Sequence, residues 1–126
     1  MSQRTEDQRL VRVTAICLGL PEVRRQDAGD HAIFRVRKKV FAYYLDNHHG
    51  DGIIAVCGKA LPGDNAALVA SNPSRFYLPA YIGPRGWAGL RLDMGDIDWE
   101  EVREFVTGSY LQTAPKRLAS SVKIPD

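Results

Sequence analysis

Apolar residues recur along the chain with two periods, and the alternation between them sets out the elements. Leu10, Val13, Cys17 and Leu20 fall on one stripe of a helix spanning Thr5 to Leu18, with Val11 and Leu18 beside it. Thr5 is placed to cap it and Gln8 follows three residues on. Glu6 and Asp7 suit its positive end, while Gly19 and Pro21 close it. Glu22 to Asp30 reads as a polar connection. The period then shortens to two: Ala32, Phe34 and Val36 alternate with His31, Ile33, Arg35 and Arg37, the pattern of a strand with one buried face. Val40 to Leu45 and Ile53 to Cys57 follow as further strands, parted by the turn cluster Asp46 to Gly52. A short helix from Gly63 to Ser71 is expected to turn Ala66, Ala67, Val69 and Ala70 inward before Pro73 stops it. Arg75 to Leu78 and Trp87 to Leu92 form two more strands around the loop Pro79 to Gly86. Asp98, with Glu101 three residues on, opens a last helix from Trp99 to about Leu111, striped by Val102, Phe105, Val106 and Tyr110. Pro115 is suited to start a further turn that holds Lys116, Arg117 and Leu118.

The predicted order is α-β-β-β-α-β-β-α. Runs of strands between helices argue for an α+β fold: a two-layer sandwich with one antiparallel five-stranded sheet and helices packed on one face. The other face is then partly open. By strand parity Arg35, Arg37, Trp87 and Arg91 point to it. Residues 1–119 make a single domain, and residues 120–126 are expected to form a flexible tail.

Composition narrows the classes. The 126 residues are 44% hydrophobic and 25% charged, ordinary for one globular domain that needs no staple. The net charge is +2, so any affinity for nucleic acid has to come from clustering. Cys17 and Cys57 each lie in an apolar run and read as buried reduced thiols. The charged N-terminus lacks the apolar core of a signal peptide, and no run is long enough to span a membrane, so a cytoplasmic location is expected.

The chain carries no nucleophile elbow, P-loop or HExxH pattern, and Gly83, Gly86 and Gly89 do not make a dinucleotide-binding fingerprint. No enzymatic activity, cofactor or metal site is expected. Asp93, Asp96 and Asp98 suit helix capping and solvation. His48 and His49 sit in a turn beside Asp46 and Asp51; as neighbours they reach one ion only if the turn twists them together, and a solvated turn is the simpler reading. His31 either bonds to the Gly29–Asp30 turn or serves a pocket. The cations form three groups: Arg35, Arg37, Lys38 and Lys39; Arg85 and Arg91; Lys116 and Arg117. With the rings of Tyr81 and Trp87 they suit phosphate contact and base stacking, against the plainer reading of a solvated charged surface.

The stretches HAIFRVRKKVFAYY, YIGPRGWAGLRLD and SYLQTAPKRLA, in that order, resemble the MmcQ/YjbR family of small bacterial proteins. The likeness runs from LGLPEV after the first helix to APKRLA. It implies a compact fold like that of type III secretion chaperones, in the order α-β3-α-β2-α, and a DNA-binding label attached to a "double wing" of two loops. The matching positions are His31, Phe34, Arg35, Val36 and Lys39, then Tyr81, Gly83, Arg85, Gly86 and Trp87, then Tyr110, Pro115, Lys116 and Arg117. At Gly29–Asp30–His31–Ala32 the chain departs from the Gly-His-Pro run common in that family.

Three readings follow. The first is a DNA-binding module using Arg35, Arg37, Lys38, Lys39, Tyr81, Arg85, Trp87, Arg91, Lys116 and Arg117. The second is a protein- or peptide-binding adaptor that uses the sheet, as a monomer or weak dimer. The third is a small-molecule pocket formed by His31, Tyr81, Trp87 and Arg91.

Overall fold

The computed structural model describes residues 7–61 and 63–122. Helix α1 (Gln8–Leu18) is capped by Asp7, whose carboxylate accepts the Arg9 N–H at 2.8 Å. The expected cap, Thr5, lies outside the described residues. Val13 and Cys17 face inward from α1, and Gly19 ends it, bonding back to the Ala15 carbonyl.

The segment expected to be a connection is a strand. β1 (Val23–Ala28) pairs antiparallel with β2 (His31–Val36) from Val23↔Val36 to Ala28↔His31. The sheet therefore has six strands, not five. β3 (Lys39–Asp46), β4 (Ile54–Lys59), β5 (Phe76–Tyr77) and β6 (Trp87–Arg91) complete it in the order β1-β2-β3-β4-β6-β5, with every pairing antiparallel. A bulge opposite Phe34/Arg35 leaves Phe41 as an extra residue, so Phe41 and Ala42 both reach the core.

One face of the sheet gives Phe34, Tyr44, Val56 and Leu90 to a core shared with α1, α3 (Trp99–Thr113) and the short α4 (Lys116–Ala119), which opens after Pro115 as expected. Asp98 caps α3, accepting the Glu100 and Glu101 N–H groups at 3.1 and 3.2 Å. The Glu101 carboxylate engages Arg75 instead of returning to the cap, so the reciprocal half of the expected capping box is not formed. Helix α3 lies close on β4: a Cβ at Gly58 would stand 3.0 Å from the Phe105 ring. Ser109 locks that contact, donating to the Phe41 carbonyl at 2.5 Å and accepting the Lys59 N–H at 2.8 Å.

Helix α2 (Asp64–Ser71) departs from the expected pattern. Ala66, Ala67 and Ala70 are exposed, Leu68 and Val69 are half-buried, and Asn65 is the buried residue. The helix meets the sheet mainly at β5 and β6, near its edge, so it buries a narrow stripe. The opposite face of the sheet holds a second, smaller cluster of Leu45, Cys57 and Trp87, with Val40, Tyr43 and Ile82 packed on it.

Candidate nucleic-acid interface

Sequence parity places Arg35, Arg37, Trp87 and Arg91 on an uncovered face. The structure rearranges that picture. Trp87 is only 7% exposed; its ring lies 5.0 Å from that of Tyr43, under Ile82 from the Leu78–Gly86 loop. The loop folds back over the face instead of projecting from it, and this removes Trp87 as a stacking ring. Arg91 is held by Asp93 at 3.0 Å, and this partner raises the arginine's pKa while lowering that of the carboxyl. Arg37, at the β2–β3 tip, pairs with Glu22 at 2.9 Å, and Arg35 bonds to Gln26 on β1. These three arginines are committed to local partners.

The proposed pocket of His31, Tyr81, Trp87 and Arg91 is dispersed in the same way. Nδ1 of His31 accepts the Asp46 N–H at 3.1 Å, which ties the ring to β3 rather than to the Gly29–Asp30 turn. Tyr81 is 78% exposed and lies 4.7 Å from His49. A ladder of rings results: His31 to His48 at 5.7 Å, His48 to His49 at 4.1 Å, then Tyr81. Left-handed backbone at Asn47 and His49 turns the two histidines together, so His48 is half-buried instead of solvated. Burial first, then the neighbouring His49 and His31, lowers the His48 pKa, and its buried Nδ1 has no partner among the described residues. No group of three His, Cys, Asp or Glu among the described residues is arranged to hold a metal ion.

The strand register gathers the remaining cations at one end of the sheet. Val36 pairs with Lys39 across the hairpin tip, and Lys59 pairs with Trp87 where β4 ends and β6 begins. Gln112 donates to the Lys59 carbonyl at 3.1 Å, so the last turn of α3 reaches the same end and α4 follows it. Lys38, Lys39, Lys59, Arg85, Lys116 and Arg117 are therefore delivered there by four separate segments. All six are exposed, and none makes an ion pair among the described residues. Asp30, Asp46, Asp51, Asp93, Asp96 and Asp98 lie at the opposite end, in the β1–β2 and β3–β4 turns and between β6 and α3. The six exposed cations make a basic pole on a near-neutral chain; Glu22, engaged by Arg37, and Asp64, which lines a groove with Lys59, also lie toward that end.

Lys59 lies two residues past the apolar run that ends at Cys57; the parity of Ala55 and Cys57, continued by two residues, reaches it. Both cysteines are free and buried, as expected. Burial raises the Cys57 pKa to about 12 and that of Cys17 further.

These features define a class: a small α+β domain with an open antiparallel sheet, helices in the layer behind it and a cluster of six unpaired cations at one end. The chain belongs to the YjbR family, whose model matches residues 18–112. A crystal structure of Deinococcus radiodurans protein DR2400, with a family-model domain DUF419, has the same fold. The TM-score is 0.69 at 20% identity, covering 93% of this chain and 89% of that one. No curated protein matches the chain significantly.

Proposed function

We propose that the protein binds nucleic acid through the basic pole, with the β2–β3 tip and the Gly83–Arg85 turn as its two main elements. The observation that carries this reading is the convergence of six unpaired cations from separate segments on one end of the sheet. Side chains that hold no carboxylate are available to replace the counterions of phosphates at little internal cost. The contacts are to the backbone of the nucleic acid and carry no sequence preference by themselves. With Trp87 buried, Tyr81 is the ring left exposed, and it stands on His49, away from the cations.

An adaptor role through strand addition has less support. The free edge strand β1 reads VRRQDA, a charged edge of the kind that resists pairing, and β5 at the other edge is two residues long.

The test is to locate the site. The variant Lys39→Ala with Arg85→Ala removes one cation from each of these elements, and Arg91→Ala removes a paired arginine from the sheet face. Duplex DNA affinity is expected to fall at least roughly tenfold in the first and to stay near wild type in the second. Equal effects in both, or none in the first, would remove the basic pole as the site.

A further inference from the structure

The basic pole is indented. Between the end of β4, the start of α2 and the Gly83–Arg85 turn lies a cleft of about 560 Å3, within the range of about 300–1,000 Å3 typical of small-molecule sites. Ala60, Leu78 and Pro84 give it apolar walls, and Lys59 and Arg85 supply two cations, with no carboxylate in the lining among the described residues. The polar groups that build the cleft are spent on one another. The Asn65 amide, 8% exposed, donates to the Gly83 and Trp87 carbonyls at 2.8 and 3.1 Å, and the Ala60 N–H donates to the Gly86 carbonyl at 2.9 Å. These bonds fix the turn against α2 and leave the ammonium and guanidinium groups for a ligand. The neighbouring groove between α2 and α3, about 540 Å3, includes Asp64 and Glu104 in its lining and lacks this single sign.

An apolar cleft with cations only selects an anion carried on a compact, weakly polar body. We propose that it is a nucleotide subsite, with the sugar and base against Ala60, Leu78 and Pro84 and the phosphate between Lys59 and Arg85. This rests on the nucleic-acid reading of the basic pole and narrows it to a single terminal or free nucleotide. Bidentate bonding from Arg85 and a point charge from Lys59 are the usual division of labour at a phosphate.

The experiment is an amide chemical-shift titration of the full chain with adenosine 5′-monophosphate. Adenosine and inorganic phosphate serve as half-ligands. A short single strand, with and without a 5′-phosphate, separates a strand end from a free nucleotide. Shifts at Ala60, Leu78, Gly83, Arg85 and Gly86 are expected, with each half-ligand weaker by roughly tenfold or more. Ala60→Phe fills the cleft and keeps both charges; it is expected to lose nucleotide binding and keep duplex binding. Arg85→Ala, an exposed change with little effect on folding, is expected to weaken nucleotide binding roughly tenfold. No cleft shifts at millimolar nucleotide, or unchanged binding in both variants, would overturn the subsite and leave duplex binding at the pole standing. Nucleotide binding without strand or duplex binding would instead support the subsite and remove the nucleic-acid reading.

Discussion

At Gly89 the sheet leaves no room for a side chain. Gly89 pairs with Tyr77, and a Cβ added there would stand 2.2 Å from the Tyr77 ring. That ring spans the glycine and brings its hydroxyl to 4.0 Å from the Cys57 sulfur. Gly89→Ala is expected to cost about 1–3 kcal/mol by denaturant unfolding, as overpacking does. Trimming the ring with Tyr77→Ala should make the double variant cost less than the sum of the two, which a double-mutant cycle reads directly. Ser109 is a second such point. Ser109→Ala strips the Phe41 carbonyl and the Lys59 N–H of one shared partner, and is expected to destabilise by about 1–3 kcal/mol. The sequence pointed to neither residue. Gly89 stood inside a predicted strand with nothing to mark an aromatic ring above it, and Ser109 lay beside the apolar stripe of α3. Both roles arise from contacts between distant segments.

At the scale of elements, those with strong periodicity were legible. β2 appears where alternation places it and β3 where its β-branched and aromatic residues do, and Asp98 and Pro115 open helices as expected. β1 was hidden because, as an edge strand, it needs little apolar surface: after Val23 it runs Arg24, Arg25, Gln26, Asp27. Only its pairing with β2 makes it a strand. The Asp46–Gly52 turn was recognised, but not the seating of His48 against His31, since that depends on left-handed residues outside any repeating pattern. This turn has a pH signature. The folded His48 titrates below its ordinary value of 6.5, held there by burial, then His49 and His31, with Asp51 pulling weakly the other way. The unfolded chain therefore takes up a proton that the folded one resists. Stability is whole above 6.5, declines as pH falls through that value, and has lost its full share below the depressed folded value. His48→Gln is expected to flatten the dependence of unfolding free energy on pH as it falls through 6.5. A slope identical to wild type would place the titration elsewhere.

The whole molecule is organised along the strand axis, not across the sheet. Among the described residues no helix is long and apolar enough to cross a membrane, and the charge that shapes the surface is the cluster of six unpaired cations at one end of the sheet. Most of the cations could be named from the sequence, but their arrangement could not. Parity along a strand reports faces, whereas the ends are set by register and by where α3 stops. In sequence Arg35, Arg37 and Arg91 are indistinguishable from the others, yet Gln26, Glu22 and Asp93 engage them. The remaining six make the central claim measurable. The most direct test is the affinity of wild type and of Lys39→Ala with Arg85→Ala for duplex DNA over a series of salt concentrations. The expected log–log slope for wild type is about −3 to −5, for about four to five phosphates engaged, and the variant should be shallower by roughly two contacts at about 0.9 each. No binding at low salt, or the same slope in both proteins, would contradict it.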